Sequence, residues 1–525
     1  MKPPDASRAF RQCRWAEPLI YEISSDGKIG HMVPMPDDEE LRAVGDPMGC
    51  IPSKLRREDP PKLPQVSEVE VLRHFIRLSQ QNFGVDTMPY PLGSCTMKYN
   101  PKFCESLASE DGVRMIHPLQ DESLVQGILQ ILYELSKFIC AITGMREASL
   151  QPSAGANGEF AGALMIRKYL KVKGEPRDEM LIPESAHGTN FTSAAMAGFK
   201  VVRLPLDDRG CIDMEALKSA ACKRTAGIMI TNPNTLGIFE RDIVEICRIV
   251  HENGGLCYYD GANLNAILSK CRPGDMGFDV AHLNLHKTFA TPHGGGGPGA
   301  GPIAASEELR EFLPVPLIGF DGERYHLDYG IKYSIGRVRG FYGNVSVLVK
   351  AYAYILALGR EGLKEVSEIA VLNSNYLMRR ILEGGGYELP YPGSGTRMHE
   401  FVLTAKGILD SHGVSALDIA KRLLDQGIHA PTIYFPPIVK EALMIEPTET
   451  ESKAELDRMA EAFRRILEEA KASPELVRGS PVNAAVARVD EVKASHPMSM
   501  RLSWRSRAAP EAKSNSAADP RHSAG

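Results

Sequence analysis

The chain lacks the patterns that would place it in a membrane or on a nucleic acid. No apolar run approaches the roughly 18 residues that a membrane helix requires. The net charge is −5 and charged residues make up 24% of the chain, so there is no excess of positive charge to attract nucleic acid or an anionic membrane. We therefore expect an ordinary globular enzyme with neither kind of partner.

The sequence also lacks the cysteine spacings of metal and redox sites. None of its ten cysteines forms a Cys-x-x-Cys pair, so we predict no metal site. The first residues include basic side chains, but no apolar segment follows them as a secretory signal would require. Scattered thiols suit a reducing compartment, and the cytoplasm is the simplest expectation.

The chain is long enough for two domains with extensions at both ends. Residues 1–63 are rich in proline and charge, and we interpret them as an extended arm laid over another surface. Residues 64–343 would form a helical entry followed by a large domain, and residues 344–505 a smaller α+β domain. Residues 506–525 lack apolar periodicity, so we expect them to be disordered.

Short apolar runs alternate with helical stretches through the large domain. The predicted strands are 148–151, 180–183, 200–204, 228–231, 256–260 and 281–284. The first predicted helix begins at a capping box at Ser67 and Glu70 and has an apolar face formed by Val71, Leu72, Phe75 and Ile76. Further helices are predicted over 121–140, 160–170 and 241–253. The small domain would contain a helix over 344–383, a strand over 400–404 and helices over 416–426 and 452–472. Strand-helix alternation predicts an α/β fold with a mainly parallel sheet covered on both faces.

Polar residues follow several of these predicted strands. In parallel sheets, ligands bind outside the carboxyl ends of the strands, so residues placed there can converge on one site. The residues that follow predicted strands in this way are Ser153, His187, Asn232, Asp260 and Lys287.

Lys287 and Asp260 have the spacing and surroundings of a pyridoxal-phosphate site. Asp260 ends an apolar strand, and Lys287 lies farther along the chain, just before a glycine run that begins at Gly294. In such a site the lysine forms an imine with the cofactor, and the aspartate keeps the pyridine nitrogen protonated. A single lysine after a strand is more often a solvated surface residue, but the combination favours the cofactor role.

A phosphate cradle is predicted where a strand gives way to a helix. Backbone N–H groups at a helix start can bind a phosphate, and small residues let it approach closely. The alternative is an ordinary strand-to-helix turn, and the lack of a Lys-Ser/Thr pair disfavours a nucleotide triphosphate. The residues of this predicted cradle are Ser153, Ala154, Gly155 and Ala156.

Three more residues are predicted to contact the cofactor. His187 would stack on one face of the pyridine ring, and Ala262 would pack against the other face. His286, beside the lysine, would sense the charge of the phosphate or the substrate. Each histidine can instead be purely structural.

Several longer segments resemble the P-protein of the glycine cleavage system, the decarboxylating glycine dehydrogenase. These segments are 90–101, 184–190, 260–265, 284–297, 334–337, 429–436 and 446–451. The resemblance runs from about Arg11 to about Trp504. In this family the protein is one long chain or two subunits, and this chain is similar to the C-terminal half, or second subunit. The resemblance implies an aspartate-aminotransferase-like large domain (fold type I) with pyridoxal 5'-phosphate as cofactor.

The resemblance also implies a reaction and its partners. Glycine would be decarboxylated, CO2 released, and the aminomethyl group transferred to the lipoyl disulfide of the carrier H-protein. The first subunit of the P-protein would be a partner, with two copies of each chain. The implied catalytic residues are Lys287, His187 and Asp260. Candidates for the substrate side are Ser94, Thr96, Lys98, His117, Asn232, Arg397 and His399.

Two other interpretations remain open at this stage. One is a different pyridoxal-phosphate enzyme of the same fold that acts on a small amino acid, such as a cysteine desulfurase. A desulfurase needs a mobile cysteine in its later half, whereas the last cysteine here is Cys271. The other is a cofactor-free scaffold subunit, which Lys287 and Asp260 disfavour.

Overall fold

The structure is a computed structural model that describes residues 10–30, 34–45, 47–59, 61, 63–117, 120–294 and 299–500. The predicted disordered tail lies outside the described residues, as do parts of the arm and positions 295–298 of the glycine run. Within the described ranges, no helix combines the length and apolar character needed to cross a membrane.

The strands alternate with helices through most of the large domain. The strands are β1 (Glu147–Ser149), β2 (Glu179–Pro183), β3 (Lys200–Leu204), β4 (Thr225–Thr231), β5 (Leu256–Gly261), β6 (Val280–Leu283), β7 (Ile303–Ala305), β8 (Leu317–Phe320), β9 (Tyr325–Asp328), β10 (Phe401–Thr404), β11 (Thr432–Ile433) and β12 (Ala442–Ile445). The α-helices are α1 (Asp38–Val44), α2 (Glu68–Gln80), α3 (Lys102–Ala108), α4 (Asp111–Arg114), α5 (Gln126–Thr143), α6 (Gly155–Lys173), α7 (Gly188–Met196), α8 (Met214–Ala220), α9 (Ile243–Glu252), α10 (Leu285–Thr288), α11 (Val345–Leu382), α12 (Lys406–His412), α13 (Ala416–Asp425), α14 (Lys453–Ala472), α15 (Pro474–Arg478) and α16 (Glu491–Ser495). Short 3₁₀ turns lie at Pro47–Cys50, Ser53–Leu55, Glu122–Leu124, Leu264–Ala266, Gly274–Met276, Arg310–Phe312 and Pro392–Ser394.

The large domain is built on a seven-stranded sheet in the order β1-β7-β6-β5-β4-β2-β3. Strands β2 to β6 pair in parallel, whereas β7 runs antiparallel to both β6 and β1. The six strands predicted from the sequence are all present, with ends that differ by a few residues. Strand β7 was not predicted, because three small apolar residues after a glycine run carry too little pattern.

Helices cover both faces of this sheet, as the alternation predicts. Neighbouring residues of β4 point to opposite sides, since Ile228 and Ile230 pack in one apolar cluster and Met229 in another. Helix α6 covers the Met229 side, and α5, α9 and α11 cover the other. Both faces are therefore buried, which explains why the central strands are apolar along their whole length.

A smaller antiparallel sheet in the order β10-β12-β11 forms the second unit. Helices α13 and α14 bury their apolar faces on it through residues such as Leu423 and Phe463. The register pairs Phe401 with Ile445, so the residues just before β10 and just after β12 lie side by side. Helix α11 leads into this unit and changes direction at Gly359, whose φ is 59°.

The predicted capping box at α2 is present, because the Ser67 side chain accepts the Glu70 N–H and the Glu70 carboxylate accepts the Ser67 N–H. The predicted apolar face of α2, however, does not enter a core: Leu72 is 59% exposed and Phe75 is 55% exposed. The next predicted helix begins later than expected, since Leu124 belongs to a 3₁₀ turn and α5 starts at Gln126.

The described part of the arm is tied to the rest of the chain by a few polar contacts. The Gln12 N–H donates to the Asn483 carbonyl oxygen at 3.0 Å, and Glu17 pairs with His74 of α2 at 2.9 Å. Most of its side chains are exposed, including the apolar Ile29 and Leu55. The proposed domain boundaries remain a prediction from the sequence.

Candidate active site

Asp260 lies at the centre of the carboxyl edge of the large sheet. The register places it beside Thr231 of β4 on one side and His282 of β6 on the other. Its side chain is 1% exposed and accepts hydrogen bonds from Asn190 Nδ2 (3.2 Å), Thr231 Oγ1 (3.2 Å) and the Ala262 N–H (3.0 Å). The carboxyl edge of the sheet therefore presents a buried carboxylate whose hydrogen bonds are satisfied.

The surroundings of Asp260 favour its charged form. Burial acts to raise its pKa, but His282, His187, the Ala262 N–H and Lys287 together lower the pKa below its ordinary value. The His282 ring lies 3.5 Å from the carboxylate through Nε2, and its other nitrogen bonds the hydroxyl of Tyr258. Asp260 is thus held ionised and oriented, as an acid that stabilises a bound cationic ring nitrogen must be.

His187 is fixed by a short polar chain. Its Nδ1 lies 2.8 Å from Thr189 Oγ1, and that hydroxyl donates to Glu159 at 2.6 Å. Ligand atoms of Glu159, His187 and Asp260 all lie within 4.8 Å of one another. Burial, together with the nearby charge of Lys287, lowers the pKa of His187 to about 4, so its ring is neutral near pH 7. A neutral ring held in this way can stack on a flat ligand.

Glu159 is an acid of this site that the sequence analysis did not single out. It is 3% exposed, and burial, followed by the charge of Asp260, raises its pKa to about 8. Glu159 therefore carries a proton near neutral pH, while Asp260 stays ionised. The two environments separate the pKa values of two neighbouring carboxyl groups.

Lys287 lies on the short helix α10, directly after the buried end of β6. Its side chain is 7% exposed, and its charge lowers the pKa values of both His187 and Glu159. The predicted lysine and aspartate therefore face one region from neighbouring strands. His286, next to Lys287, contacts His293 edge-on at 4.9 Å, and burial lowers its pKa to about 3.

The predicted phosphate cradle opens α6. Residue Ala154 is the N-cap and makes no side-chain hydrogen bond to the first turn, so the N–H groups of the helix start are open to an anion. Ser153 accepts a hydrogen bond on its carbonyl oxygen from Asn344, which in turn bonds the guanidinium of Arg339. Arg339 brings a positive charge to this turn that the sequence analysis did not assign.

Gly155 and Gly158 are required by close packing at the cradle. A Cβ at Gly155 would lie 2.3 Å from Asn284 Nδ2, and one at Gly158 would lie 2.7 Å from the Gly301 carbonyl oxygen. The helix start is therefore pressed against the segment that carries Lys287. Ala156, the fourth residue of the cradle, is exposed.

We expect Gly155→Ala to lower the free energy of unfolding by about 1–3 kcal/mol, because the new methyl group forces Asn284 aside. Cofactor affinity should fall with it, since the cradle and the Lys287 segment move apart. Chemical denaturation and cofactor titration would measure the two effects. Gly127→Ala is the matched control, because a Cβ there meets nothing within 4 Å. Equal stability of the two variants would contradict the packing argument.

The 94–96 loop and Lys98 lie against the site from the side of the small unit. Lys98 is 2% exposed and donates to Glu449 (2.6 Å), Asn265 (2.8 Å) and the Thr288 carbonyl oxygen (3.0 Å). Thr288 directly follows Lys287, so Lys98 is held beside the reactive segment. Ser94 and Thr96 are also buried, and both have positive φ values of 65° and 48°.

Other residues predicted for the substrate side differ in their placement. Asn232 is fully buried, and its Oδ1 accepts the Glu240 N–H at 3.0 Å. Arg397 is 1% exposed and donates to the carbonyl oxygens of Pro390, Tyr391 and Gly395. His117 is exposed, and its N–H donates to Gln120. His399 is fully buried beside Glu446, at 3.6 Å.

The chain matches known proteins along most of its length. A family model described as "Glycine cleavage system P-protein" matches residues 42–326, and one described as "Glycine dehydrogenase, C-terminal domain" matches residues 366–481. A Thermococcus gammatolerans protein named "Probable glycine dehydrogenase (decarboxylating) subunit 2" is 57% identical over 94% of this chain and 97% of its own length. A Pyrococcus furiosus protein of the same name is 58% identical over 93% of this chain and 96% of its own length.

This chain belongs to the glycine cleavage system P-protein family. Its similarity to proteins named as the second subunit confirms the predicted type within the family. The predicted enzyme class, decarboxylating glycine dehydrogenase with a function in glycine cleavage, is confirmed at the level of the family.

A solved structure supports the fold independently. The crystal structure of a glycine decarboxylase (P-protein) in inhibitor-bound form superposes with a TM-score of 0.70, at 22% identity, and covers 83% of this chain and 100% of that chain. This likeness confirms the predicted aspartate-aminotransferase-like fold.

The residues present fit pyridoxal phosphate. Asp260 offers an ionised acid for the ring nitrogen, Lys287 a buried amine, and α6 an open helix start for the phosphate. Buried polar atoms without a hydrogen-bond partner among the described residues also occur here, namely Ser185 Oγ, Asn190 Oδ1, Asn232 Nδ2 and His286 Nδ1. Because orphaned buried polar groups are costly, such atoms indicate that the site is shaped for a polar ligand.

Several residues of the site were missed by the sequence analysis. Asn190 and Thr231 hydrogen-bond Asp260. Thr231 ends β4 and Asn190 lies in the first turn of α7, so both positions at the predicted edge held a usable signal. Glu400 and Glu446 contact the 94–96 loop at 2.7 and 2.8 Å. They adjoin strands of the small domain, and no local pattern linked them to the site.

Proposed function

We propose that this chain is the pyridoxal-phosphate-binding subunit of a two-subunit glycine decarboxylase. Its reaction would release CO2 from glycine and transfer the aminomethyl group to the lipoyl disulfide of the H-protein. The observation that carries the proposal is the placement of a buried lysine and an ionised, buried aspartate at one sheet edge, Lys287 and Asp260. The names of its relatives supply the substrate and the carrier system.

Each site residue has a defined task in this proposal. Lys287 would hold the cofactor through its side-chain amine, which the amine of glycine would displace. Asp260 would accept a hydrogen bond from the protonated ring nitrogen, and His187 and Ala262 would enclose the two ring faces. The start of α6 would bind the phosphate with backbone N–H groups. Pyridoxal phosphate, when bound, supplies the electron sink that makes loss of CO2 from glycine feasible.

The residues that would orient glycine lie mainly in the 94–96 loop and at Lys98. Ser94, Thr96 and Lys98 lie in a loop that packs against the Lys287 segment, and Lys98 is the buried cation there. We propose that this loop orients glycine, with Asn232 and His399 as further candidates. Arg397, although buried, would act by holding the loop at residues 390–395, and His117 keeps only the support of the family resemblance.

We also propose the first P-protein subunit as a partner, with two copies of each chain, and the cytoplasm as the compartment. The name "subunit 2" of the relatives supports a partner chain. Among the described residues between positions 10 and 80, the exposed apolar face of α2 and the exposed apolar residues of the arm support an interface with that partner. All ten cysteines are free thiols, which suits a reducing compartment.

Release of labelled CO2 from carboxyl-labelled glycine tests the reaction. The assay would contain this chain loaded with pyridoxal phosphate and a lipoylated H-protein, with or without the first subunit. Release only in the complete mixture supports both the reaction and the division of labour. Release without the first subunit keeps the reaction but removes the need for that partner. Absence of release in every mixture would move the proposal to another amino acid.

We expect Leu72→Asp combined with Phe75→Asp to prevent assembly with the first subunit, because both exposed side chains would lie in the interface. Light scattering of the mixed chains would report the loss of the larger species. Val172→Asp is the control, since Val172 is 44% exposed on α6. Assembly that survives the α2 changes would place the interface elsewhere.

A further inference from the structure

Two glutamates of the small sheet lie side by side next to the active site. Glu400 precedes β10 and Glu446 follows β12, and the register pairs Phe401 with Ile445. The two acids are therefore the next residues at the same end of neighbouring strands. Backbone pairing alone brings them together, although they are far apart in the sequence.

Both glutamates are completely buried, and among the residues that the structure describes no cation forms a direct ion pair with Glu400. Each is 0% exposed, as is the adjacent His399. Ligand atoms of these three residues lie within 4.8 Å of one another. Among the described residues, Glu446 Oε1 and both ring nitrogens of His399 have no hydrogen-bond partner. Two ionised carboxylates this close in a completely buried site would be strongly unfavourable.

The two carboxyl groups hold the loop on the substrate side. Glu400 Oε2 accepts the Ser94 N–H at 2.7 Å, and Glu446 Oε2 accepts the Thr96 N–H at 2.8 Å. Ser94 and Thr96 have φ values of 65° and 48°, a left-handed conformation that costs about 1–3 kcal/mol per residue other than glycine. The acids therefore stabilise a strained loop.

Glu400 also connects this loop to the cofactor side. Its Oε1 accepts a hydrogen bond from Asn263 Nδ2 at 3.2 Å, and Asn263 directly follows Ala262. The same amide donates to the Pro233 carbonyl oxygen at 2.8 Å. One carboxyl group thus contacts both the 94–96 loop and the segment after Asp260.

The groups that face the pair come from every neighbouring element. They are His399 beside Glu400, Cys95 and Lys98 of the loop, Glu449 paired with Lys98, and Lys287 of α10. Burial, and then the charge of Glu446, raises the pKa of Glu400 to about 8. Burial raises the pKa of Glu446 to about 7, although Lys287 and Lys98 act to lower it. The pKa of His399 is lowered to about 3, chiefly by burial, so its ring is neutral.

We propose that Glu400 and Glu446 share a single proton near neutral pH and act as positioning residues that hold the 94–96 loop on the substrate side. The statement that this loop faces the substrate rests on the proposed function, whereas the shared proton does not depend on it. With one proton, the pair carries one negative charge. Loss of that proton adds a second buried negative charge, which repels the carboxylate of glycine and loosens the loop.

Infrared spectroscopy of the cofactor-free chain tests the shared proton. A protonated carboxyl group has a C=O absorption that disappears when the group ionises. We expect the wild type to lose this absorption between about pH 6.5 and 9, given buried acids with raised pKa values. Glu400→Gln and Glu446→Gln should each remove part of this pH-dependent loss of absorption, and the double variant should remove more of it. Glu441→Gln, at the other end of β12, should leave the change intact.

The pH dependence of stability gives a second readout without cofactor. An acid whose folded pKa is raised stabilises the protein fully below its unfolded pKa, and this contribution is lost as pH rises through the folded pKa. The pH range over which Glu400 and Glu446 lose this stabilising contribution therefore extends from about pH 4.5 to about pH 8. Glu159, Glu240 and Glu451 also have raised pKa values, so the informative quantity is the difference between variant and wild type.

As the pH rises from about 6.5 to 8.5, we expect the melting temperature of Glu400→Gln to fall by less than the melting temperature of the wild type, because the amide cannot ionise. The histidines with lowered pKa values titrate in the same way in both proteins, so their effect cancels in the difference between variant and wild type. In the active complex, the KM for glycine should rise by up to about tenfold per pH unit above pH 8 in the wild type and less in Glu400→Gln.

Two outcomes would overturn the inference. One is an unchanged infrared difference spectrum in both single variants. The other is a melting temperature that changes with pH in the same way in the wild type, in Glu400→Gln and in the control Glu441→Gln. Because both readouts use the chain without cofactor or glycine, they can succeed even where the CO2 assay fails. Failure of the proposed function is therefore distinguishable from failure of the shared proton.

Discussion

Lys287→Ala should lower kcat for glycine decarboxylation by at least about a thousandfold, because alanine has no amine with which to hold the cofactor. The change also removes a positive charge that lowers the pKa values of His187 and Glu159. Both pKa values should therefore rise in the variant, the first toward that of an ordinary histidine.

Chemical trapping would measure the covalent role directly. Borohydride reduction of the wild-type holoenzyme, followed by digestion and mass spectrometry, should place the cofactor mass on the peptide with Lys287. The variant should lack this adduct. Lys98 is the other buried lysine nearby, but its ion pair with Glu449 at 2.6 Å makes it a poor nucleophile. Lys270→Ala is the surface control, since Lys270 pairs with the exposed Glu368.

An adduct on Lys98 instead of Lys287 in the wild type would show that the lysine assignment is wrong. An adduct on Lys287 in the wild type with unimpaired turnover in the variant would separate cofactor attachment from catalysis. Neither result bears on the fold, which rests on the apolar packing of the sheet against its helices.

Asp260→Asn should retain the cofactor and lower kcat by about a hundredfold to ten-thousandfold. Asparagine keeps an oxygen that can accept the Ala262 N–H, so the local structure should survive. It removes the negative charge, however, and the charge is what keeps a bound ring nitrogen protonated. Absorption spectra and single-turnover CO2 release would separate cofactor binding from chemistry.

Asp279→Asn is the matched control for this substitution. Asp279 lies just before β6, at the opposite edge of the same sheet, where it accepts the Cys257 N–H at 2.7 Å and pairs with His251 at 2.8 Å. Its replacement should cost about 1–3 kcal/mol of stability through the weakened hydrogen bonds, with little change in kcat. Full activity in Asp260→Asn would show that another group, such as Glu159, holds the ring nitrogen.

The cofactor half of the site was predictable from the sequence because it is built from strand ends. Each central strand of a parallel sheet is a short apolar run, and the residue after it reaches the same edge. Asp260 and His187 could therefore be placed together with Lys287 before any coordinates. The family resemblance added the reaction, which strand patterns do not specify.

The substrate half was less predictable, because it depends on contacts between distant segments. Ser94 and Thr96 were named only through the resemblance, and the partners of their N–H groups, Glu400 and Glu446, were not named at all. No periodicity in the 94–96 loop signals its left-handed conformation or the acids that hold it. Similarly, β7 and β12 become strands because of the neighbours they pair with.

The apolar face of α2 shows a different limit. Its spacing correctly predicted a helix and its capping box, but Leu72 and Phe75 are exposed in the folded chain. Periodicity reports which face of a helix is apolar and says nothing of what covers that face.

By itself, the sequence determined the alternating α/β architecture, the lysine and aspartate at the strand ends, and membership of the P-protein family through its long motifs. The architecture follows from local apolar periodicity, and the other two follow from residues and motifs that lie within short stretches of the sequence. Only the tertiary structure decided how the acids are protonated and how the 94–96 loop is held. Burial and the proximity of charges set those properties, and both arise from residues that the chain brings together over long distances.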